Sequence, residues 1–150
     1  CTGAIKEKST CVVTRCGDGI RVGDEQCDDG TASGDGCSST CTVEQGWTCT
    51  GQLGGISTCT TRCGDGIKAG SEVCDDGNGN NNDGCSSTCT QETGWTCSGT
   101  PGALSTCSTT CGDGIQVSVK ESCDDKNTNN GDGCSSLCSI ETGWAGSGLA

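Results

Sequence analysis

One cassette occurs three times along this chain. It reads CGDGIRVGDEQCDDGTASGDGCSSTC from Cys16 to Cys41, CGDGIKAGSEVCDDGNGNNNDGCSSTC from Cys63 to Cys89 and CGDGIQVSVKESCDDKNTNNGDGCSSLC from Cys111 to Cys138. The starts lie 47 and 48 residues apart, the period of a supersecondary unit in an array. Every copy holds four cysteines, a Gly-Asp-Gly, a double aspartate and an Asp-Gly-Cys. A unit this short cannot bury much, so the cysteines decide what it can become.

The chain has 18 cysteines in 150 residues, no histidine and no CxxC pair. Zinc sites are signalled by CxxC pairs or mixed Cys/His sets. An even count at regular spacing points to a disulfide framework in an extracellular setting. Apolar residues make up 29%, cysteine included, with three Trp and no Phe, Tyr or Met. Such a chain cannot offset its conformational entropy by apolar burial alone. Disulfides, typically about 2–4 kcal/mol each, have to replace that core. The net charge of −12 argues against nucleic acid or an anionic membrane as partner and favours a cation, or plain solubility. No apolar run reaches membrane-spanning length. Secretion, or display at a cell surface, is read from the cysteines and not from a targeting segment.

Residues 1–15 (CTGAIKEKSTCVVTR) match Cys49 to Arg62 and Cys97 to Thr110. They read as the far half of a preceding repeat, followed by repeats at 16–62 and 63–110 and by part of another at 111–150. Gly146 stands where the earlier copies have Cys49 and Cys97. The expectation is a window of a longer array, or a protomer permuted so that one tail meets the next head.

The expected fold is a linear array of small disulfide-rich repeats with little regular secondary structure. Each repeat is a short β-hairpin plus a helix of one to two turns. The hairpin is placed at Ile20 to Cys27 and turns at Gly23-Asp24, with Gly70-Ser71 as the second copy's turn. The helix is placed from Asp35 to Gly46, since aspartate caps and glycine stops a helix. The Gly/Thr/Ser-rich blocks Cys49 to Cys59 and Cys97 to Cys107 read as exposed loops or loose hairpins.

Cys37 and Cys41, Cys85 and Cys89, and Cys134 and Cys138 are each four apart. On a helix their Cβ atoms would be about 5–6 Å apart, beyond the roughly 3.5–4.5 Å a disulfide needs. They should therefore pair with the two remaining cassette cysteines: Cys16 and Cys27, Cys63 and Cys74, Cys111 and Cys123. Which joins which stays open. Cys1–Cys11, Cys49–Cys59 and Cys97–Cys107 then close local spans.

The acidic positions repeat with the cassette: Asp18, Asp28, Asp29 and Asp35; Asp65, Asp75, Asp76 and Asp83; Asp113, Asp124, Asp125 and Asp132. Asn78 and Asn127 add amide oxygens, with Thr31 in the first copy. Hard oxygens on Gly/Asn-rich loops suit calcium, which takes six to eight ligands at about 2.3–2.6 Å. The EF-hand pattern fails, because Asp76-x-Asn78-x-Asn80 lacks the following Gly and the closing Glu. The competing reading is turn chemistry alone, with Asx turns and helix caps accounting for every aspartate. Glu44, Glu92 and Glu141 read as capping or solvated residues. Trp47, Trp95 and Trp144 read as covers over the disulfides. No Asn-x-Ser/Thr sequon occurs; O-glycans on the Ser/Thr-rich stretches at Thr58 to Thr61 and Ser105 to Thr110 remain open, alongside unmodified loops. Without histidine or a lone cysteine no usual nucleophile–base set can be assembled, so no enzyme is expected.

The pattern CGDGI…E.CDDGN…GDGCSSTC…E.GW.C resembles the Myxococcus-type cysteine-rich disulfide repeat, over two complete and two partial copies. Lys126, Thr31 and Gly146 depart from it. The acid-rich cysteine repeats are also similar in composition to thrombospondin type 3 calcium repeats, with different spacing. The resemblance implies an extracellular structural or adhesive array. The expected role is a structural module of a fibril or surface appendage, assembled as a linear array or head-to-tail polymer and stiffened by calcium. The alternatives are a calcium-dependent adhesin or glycan-binding module, and a non-catalytic repeat of a larger secreted protein.

Overall fold

The computed structural model describes residues 15–145, and Cys1 and Cys11 lie outside them. The chain divides into two compact units, Cys1–Thr60 and Thr61–Ala150. The fold is a run of three tandem disulfide-rich repeats with short β-hairpins and little regular secondary structure. Four strands are present among the described residues: β1 Trp47–Thr50, β2 Thr58–Thr61, β3 Trp95–Ser98 and β4 Thr106–Thr109. β1 pairs with β2 and β3 with β4. In the second hairpin Cys97 lies opposite Cys107, and a disulfide joins them at a Cα separation of 4.0 Å. Cys49–Cys59 closes the first hairpin with the same separation. Exposure alternates along the strands, so one face of each is solvated.

The cassette cysteines form a nested pair. Cys16–Cys41 encloses Cys27–Cys37, Cys63–Cys89 encloses Cys74–Cys85, and Cys111–Cys138 encloses Cys123–Cys134. This resolves the pairing that spacing left open. Cys27, Cys37, Cys74 and Cys85 are at most 1% exposed. The interior of a cassette is therefore largely sulfur, with Cys63, Cys97 and Cys107 packed around Cys74, Cys85 and Cys89 in the second copy.

Two expectations need correction. No helix forms from Asp35 to Gly46, and none is present among the described residues. Cys37 bridges Val43 as an antiparallel pair, and Ser38 N–H donates to the Thr42 carbonyl at 2.9 Å. That bond runs opposite to the helical i to i−4 direction. The Thr42 N–H goes instead to Ser38 Oγ at 3.2 Å, and Cys41 turns the chain back with φ of 55°. Ser and Thr side chains here outcompete the helical backbone pattern. The conclusion that Cys37 and Cys41 stay apart survives, but the turn enforces it. The second correction concerns Ile20 to Cys27. The turn at Gly23-Asp24 is present, with Glu25 N–H donating to the Val22 carbonyl at 3.3 Å, but no strands flank it. The Glu25 carboxylate accepts the Val22 N–H at 2.8 Å and so takes the place of a ladder bond.

Each hairpin packs on the cassette before it. Arg21 N–H donates to Gly55 O at 3.0 Å and Gly54 N–H to Arg21 O at 2.8 Å. Ser57 N–H donates to Asp28 O at 2.6 Å, and its hydroxyl accepts the Asp28 N–H at 3.0 Å. Lys68, Ala103, Gly102, Asp75 and Ser105 repeat these four bonds in the second copy. The glycine of Asp-Gly-Cys makes the closest approach to the hairpin. A Cβ on Gly84 would lie 2.2 Å from Cys107 Cβ and 3.0 Å from Trp95 Cε3, at a φ of 120°. Trp95 is 5% exposed as a result of this packing.

Gly84→Ala should therefore destabilise the oxidised chain by roughly 2–4 kcal/mol through overpacking and backbone strain. Gly102→Ala, at φ 83° in open space, should cost only about 1 kcal/mol. Guanidinium midpoints of the two variants check the difference, and equal shifts would refute the close-packing account.

Candidate functional site

The repeated aspartates divide into three groups with different tasks. The first group is Asp28, Asp75 and Asp124. Asp28 and Asp75 are fully buried. The Asp28 carboxylate accepts the N–H groups of Gly17 at 3.0 Å, Asp18 at 3.3 Å, Gly19 at 2.8 Å and Gly30 at 3.0 Å. Asp75 takes Gly64, Asp65, Gly66 and Gly77 in the same way, and Asp124 takes Gly112, Gly114 and Lys126. Burial pushes the pKa of Asp28 up, and the N–H groups of Gly19, Gly30, Gly17 and Asp18 more than offset it, holding the group below its ordinary value. Asp124 is lowered by the same balance. These carboxylates knit the Gly-Asp-Gly loop to the double aspartate, and their oxygens already face donors.

The second group is Asp18, Asp65 and Asp113. Each accepts the N–H two residues on, from Ile20, Ile67 or Ile115 at 2.8–3.0 Å, as an Asx turn. They point into their own loop and join no cluster.

The third group brings distant aspartates together. In the second repeat Asp76 Oδ1 accepts Asn78 N–H at 3.3 Å and Asn78 Nδ2 at 3.1 Å. Burial pushes the Asp76 pKa up first, and the charge of Asp83 adds to it. Asp83 Oδ1 is buried with no hydrogen-bond partner. In the first repeat Thr31 Oγ1 links the two carboxylates, bonding Asp29 Oδ1 at 3.0 Å and, by a short bond, Asp35 Oδ2. Asp29 Oδ2 is likewise buried and unpartnered. In the third repeat Asn127 Nδ2 donates to Asp132 Oδ2 at 3.1 Å, and its N–H donates to Asp125 Oδ1 at 3.4 Å. In the first and second repeats, two carboxylates drawn together with a buried oxygen facing no donor fit an oxygen-seeking cation. The carboxylates supply hard oxygens, whereas Asn78 and Asn127 turn their amide N–H groups to the acids and their Oδ1 atoms accept Asn80 N–H and Asn129 N–H at 2.7 Å; backbone carbonyls or water would complete the six to eight oxygens that calcium takes.

Glu44, Glu92 and Glu141 hold this loop in place. Glu92 accepts the N–H groups of Asn82 at 2.8 Å, Asp83 at 3.1 Å and Gly84 at 2.9 Å. The Asn82 and Gly84 bonds lower its pKa most, burial opposes them, and Asp83 adds a further lowering. Glu44 does the same for Gly34 and Gly36, and Glu141 for Gly131 and Gly133. The capping expectation thus applies to a loop instead of a helix. Ser57, Ser105 and Glu121, all at most 5% exposed, were not singled out from the sequence. Serine carries no distinguishing signal in a chain about one quarter Ser/Thr.

A family model described as a domain of unknown function (DUF4215) matches residues 2–42, 44–90 and 91–139. The chain belongs to this family. No curated protein and no solved structure matches it. The second and third matches each run from a hairpin into the cassette after it, whereas the hydrogen bonds join the first and second cassettes to the hairpin that follows them.

The signs of the pKa shifts give opposite pH behaviour for Asp28 and Asp124 on one side and Asp76 on the other. Lowered groups such as Asp28 and Asp124 contribute stability that is present above the unfolded carboxylate value near about 3.9. That stability is lost as pH falls through the lower folded value. For Asp76, raised in the fold, the contribution is present below the unfolded value and is lost as pH rises through the folded one. Asp28→Asn should cost roughly 2–4 kcal/mol at neutral pH, by replacing an acceptor oxygen with a donor. It should also flatten the fall in urea midpoint between neutral and strongly acid pH. A variant as acid-sensitive as the parent would refute the anchor role.

Proposed function

We propose that this DUF4215 chain is a non-catalytic structural module of an extracellular fibril or surface appendage, whose cassettes each take a calcium ion. The observation that carries the reading is the recurrence of one closed circuit: a nested disulfide pair, a buried aspartate on backbone N–H groups and a glutamate-held acidic loop. The disulfides, the buried aspartate and the glutamate in this circuit all hold the chain's own backbone, which leaves the paired acids of the loop as the groups with free oxygens. All the described cysteines are oxidised, which supports a secreted setting. Among the described residues no helix is long and apolar enough to cross a membrane. The Myxococcus-type resemblance agrees with an extracellular array. Glycan stacking has less support at the second repeat, where Trp95 is covered by its own hairpin, than at the third, where Trp144 is 55% exposed.

The ligands assigned to calcium are the paired carboxylates Asp29 and Asp35, Asp76 and Asp83, and Asp125 and Asp132, with Thr31 beside the first pair. In the third repeat Lys126 puts a cation beside the site and weakens it. Micrographs of the native material should show extended, repeat-bearing structures, and only isolated compact particles would refute the fibril.

Calcium should raise the melting temperature of the oxidised chain at neutral pH by several degrees over chelator, because it binds only the folded loops. Asp83→Asn should abolish that gain and raise the calcium-free melting temperature, by relieving repulsion with Asp76. Identical melting curves with calcium and chelator would leave turn chemistry as the whole account of these residues.

A further inference from the structure

The bridges of a repeat differ in what surrounds their sulfurs. The inner ones are sealed: Cys27, Cys37, Cys74 and Cys85 are at most 1% exposed. A thiol cannot reach them unless the cassette opens. The outer ones are guarded by charge. Cys16 and Cys63 are half-buried, whereas their partners Cys41 and Cys89 are buried. Cys41 Sγ lies 3.8 Å from Asp28 Oδ2, Cys89 Sγ 3.8 Å from Asp75 Oδ2 and Cys138 Sγ 3.7 Å from Asp124 Oδ2. Glu25 adds a second carboxylate in the first repeat and Glu121 in the third, with the sulfur and the oxygens all within 4.8 Å of one another. Disulfide exchange needs one thiolate to attack and another to leave. Attack at Cys16 would drive Cys41 out as an anion facing two carboxylates, and burial blocks attack at Cys41 itself.

The hairpin bridges have neither protection. Cys49, Cys59, Cys97 and Cys107 are all half-buried. No Asp, Glu, Lys or Arg occurs from Trp47 to Thr61 or from Trp95 to Thr110, in a chain of net charge −12. Among the described residues neither hairpin bridge joins an acidic cluster. Glu44 and Glu92 come nearest from the cassette side, and backbone N–H groups of the acidic loop engage their oxygens. Arg21 Nη1 donates to Gly51 O at 3.0 Å and so places a positive charge on the first hairpin, where it attracts an incoming thiolate. An acceptor also waits for the reduced form. Cys49 Sγ lies 3.3 Å from Gly36 O and Cys97 Sγ 3.3 Å from Gly84 O, so either cysteine, once a thiol, can donate there.

We propose that Cys49–Cys59 and Cys97–Cys107 are thiol-exchange sites, opened by dithiol reductants while the nested bridges of the cassettes stay closed. One thiolate of the dithiol attacks a hairpin Sγ and forms a mixed disulfide. The Sγ–Sγ bond breaks, and the other cysteine leaves as a thiolate that takes up the proton the attacking thiol gave up. The second thiol of the reagent then attacks the mixed disulfide and closes the reagent into a cyclic disulfide. The first cysteine is freed with the second proton, so two electrons and two protons have passed to the hairpin. The opened hairpin is a loosened latch. Two strands of four residues hold together poorly by themselves. They flank the serine that covers the buried anchor, Ser57 over Asp28 and Ser105 over Asp75. Reduction thus uncovers the anchor while the sulfur framework of the cassette stays whole. Neither calcium nor assembly into a fibril is needed for this chemistry.

The test treats the full oxidised chain with dithiothreitol at neutral pH, traps new thiols with iodoacetamide at intervals and maps them by mass spectrometry. Cys49, Cys59, Cys97 and Cys107 should be labelled about tenfold or more faster than the cysteines of the nested bridges. Bridges that all open together, or that open only when the chain unfolds, overturn the exchange sites. Glu25→Gln, which keeps an oxygen for the Val22 N–H, should speed labelling of Cys16 and Cys41 and leave that of Cys49 and Cys59 unchanged. A variant in which every bridge opens faster, or none does, overturns the charge guard. With the hairpins opened and trapped, the Asp28 and Asp75 amides should exchange with deuterium faster, while those of Gly19 and Gly66 stay protected. Unchanged exchange at Asp28 and Asp75 overturns the latch.

Discussion

Everything in a repeat hangs on a carboxylate held against two nested sulfur bridges. Asp28 and its counterparts sit where the two arms of the nested loop meet, and they collect amide protons from both arms. A buried carboxylate without donors would be strongly disfavoured, and a glycine-rich loop without a fixed acceptor would be disordered. Each defect cures the other. The disulfides hold the partners at bonding distance, so the loop has little entropy left to lose when it closes. This explains how a packet with almost no aliphatic interior can hold one conformation.

The second consequence of this arrangement is electrostatic. The first aspartate of the pair is saturated with N–H groups, and the next one, half-buried, faces the aspartate before Gly-Cys. Adjacent residues of the same type thus end in opposite environments: Asp75 among donors, Asp76 facing another acid. The glutamates at 44, 92 and 141 reinforce the division by fixing the loop that brings the second acid in.

Much of this was legible in the sequence, and the failures have definable causes. The repeat, the sulfur framework and the scarcity of regular structure followed from spacing and composition. The helix from Asp35 to Gly46 did not form because Ser38 and Thr42 satisfy one another's backbone groups, and because Cys41 adopts a left-handed conformation that spacing cannot reveal. The pairing of Cys16 with Cys41 depended on that turn and so stayed open until the turn was seen. All fourteen candidate ligand positions are Asp or Asn on turns, yet only the pattern of backbone donors separates anchor, Asx turn and facing acids. Ser57 and Ser105 bond across 29 and 30 residues, beyond the reach of any local motif.

The nesting of the bridges also bears on how such a chain meets mechanical load. A pull applied along the backbone reaches Cys16 and crosses directly to Cys41 through sulfur, by-passing the 25 positions of separation between them. The inner bridge and the acidic loop lie wholly inside the shielded span. What remains extensible in each period is the hairpin, itself short-circuited from Cys49 to Cys59, together with the few residues joining the two. Under tension the molecule is therefore nearly inextensible until sulfur–sulfur bonds break. A protease cut inside either loop would likewise leave both ends tethered.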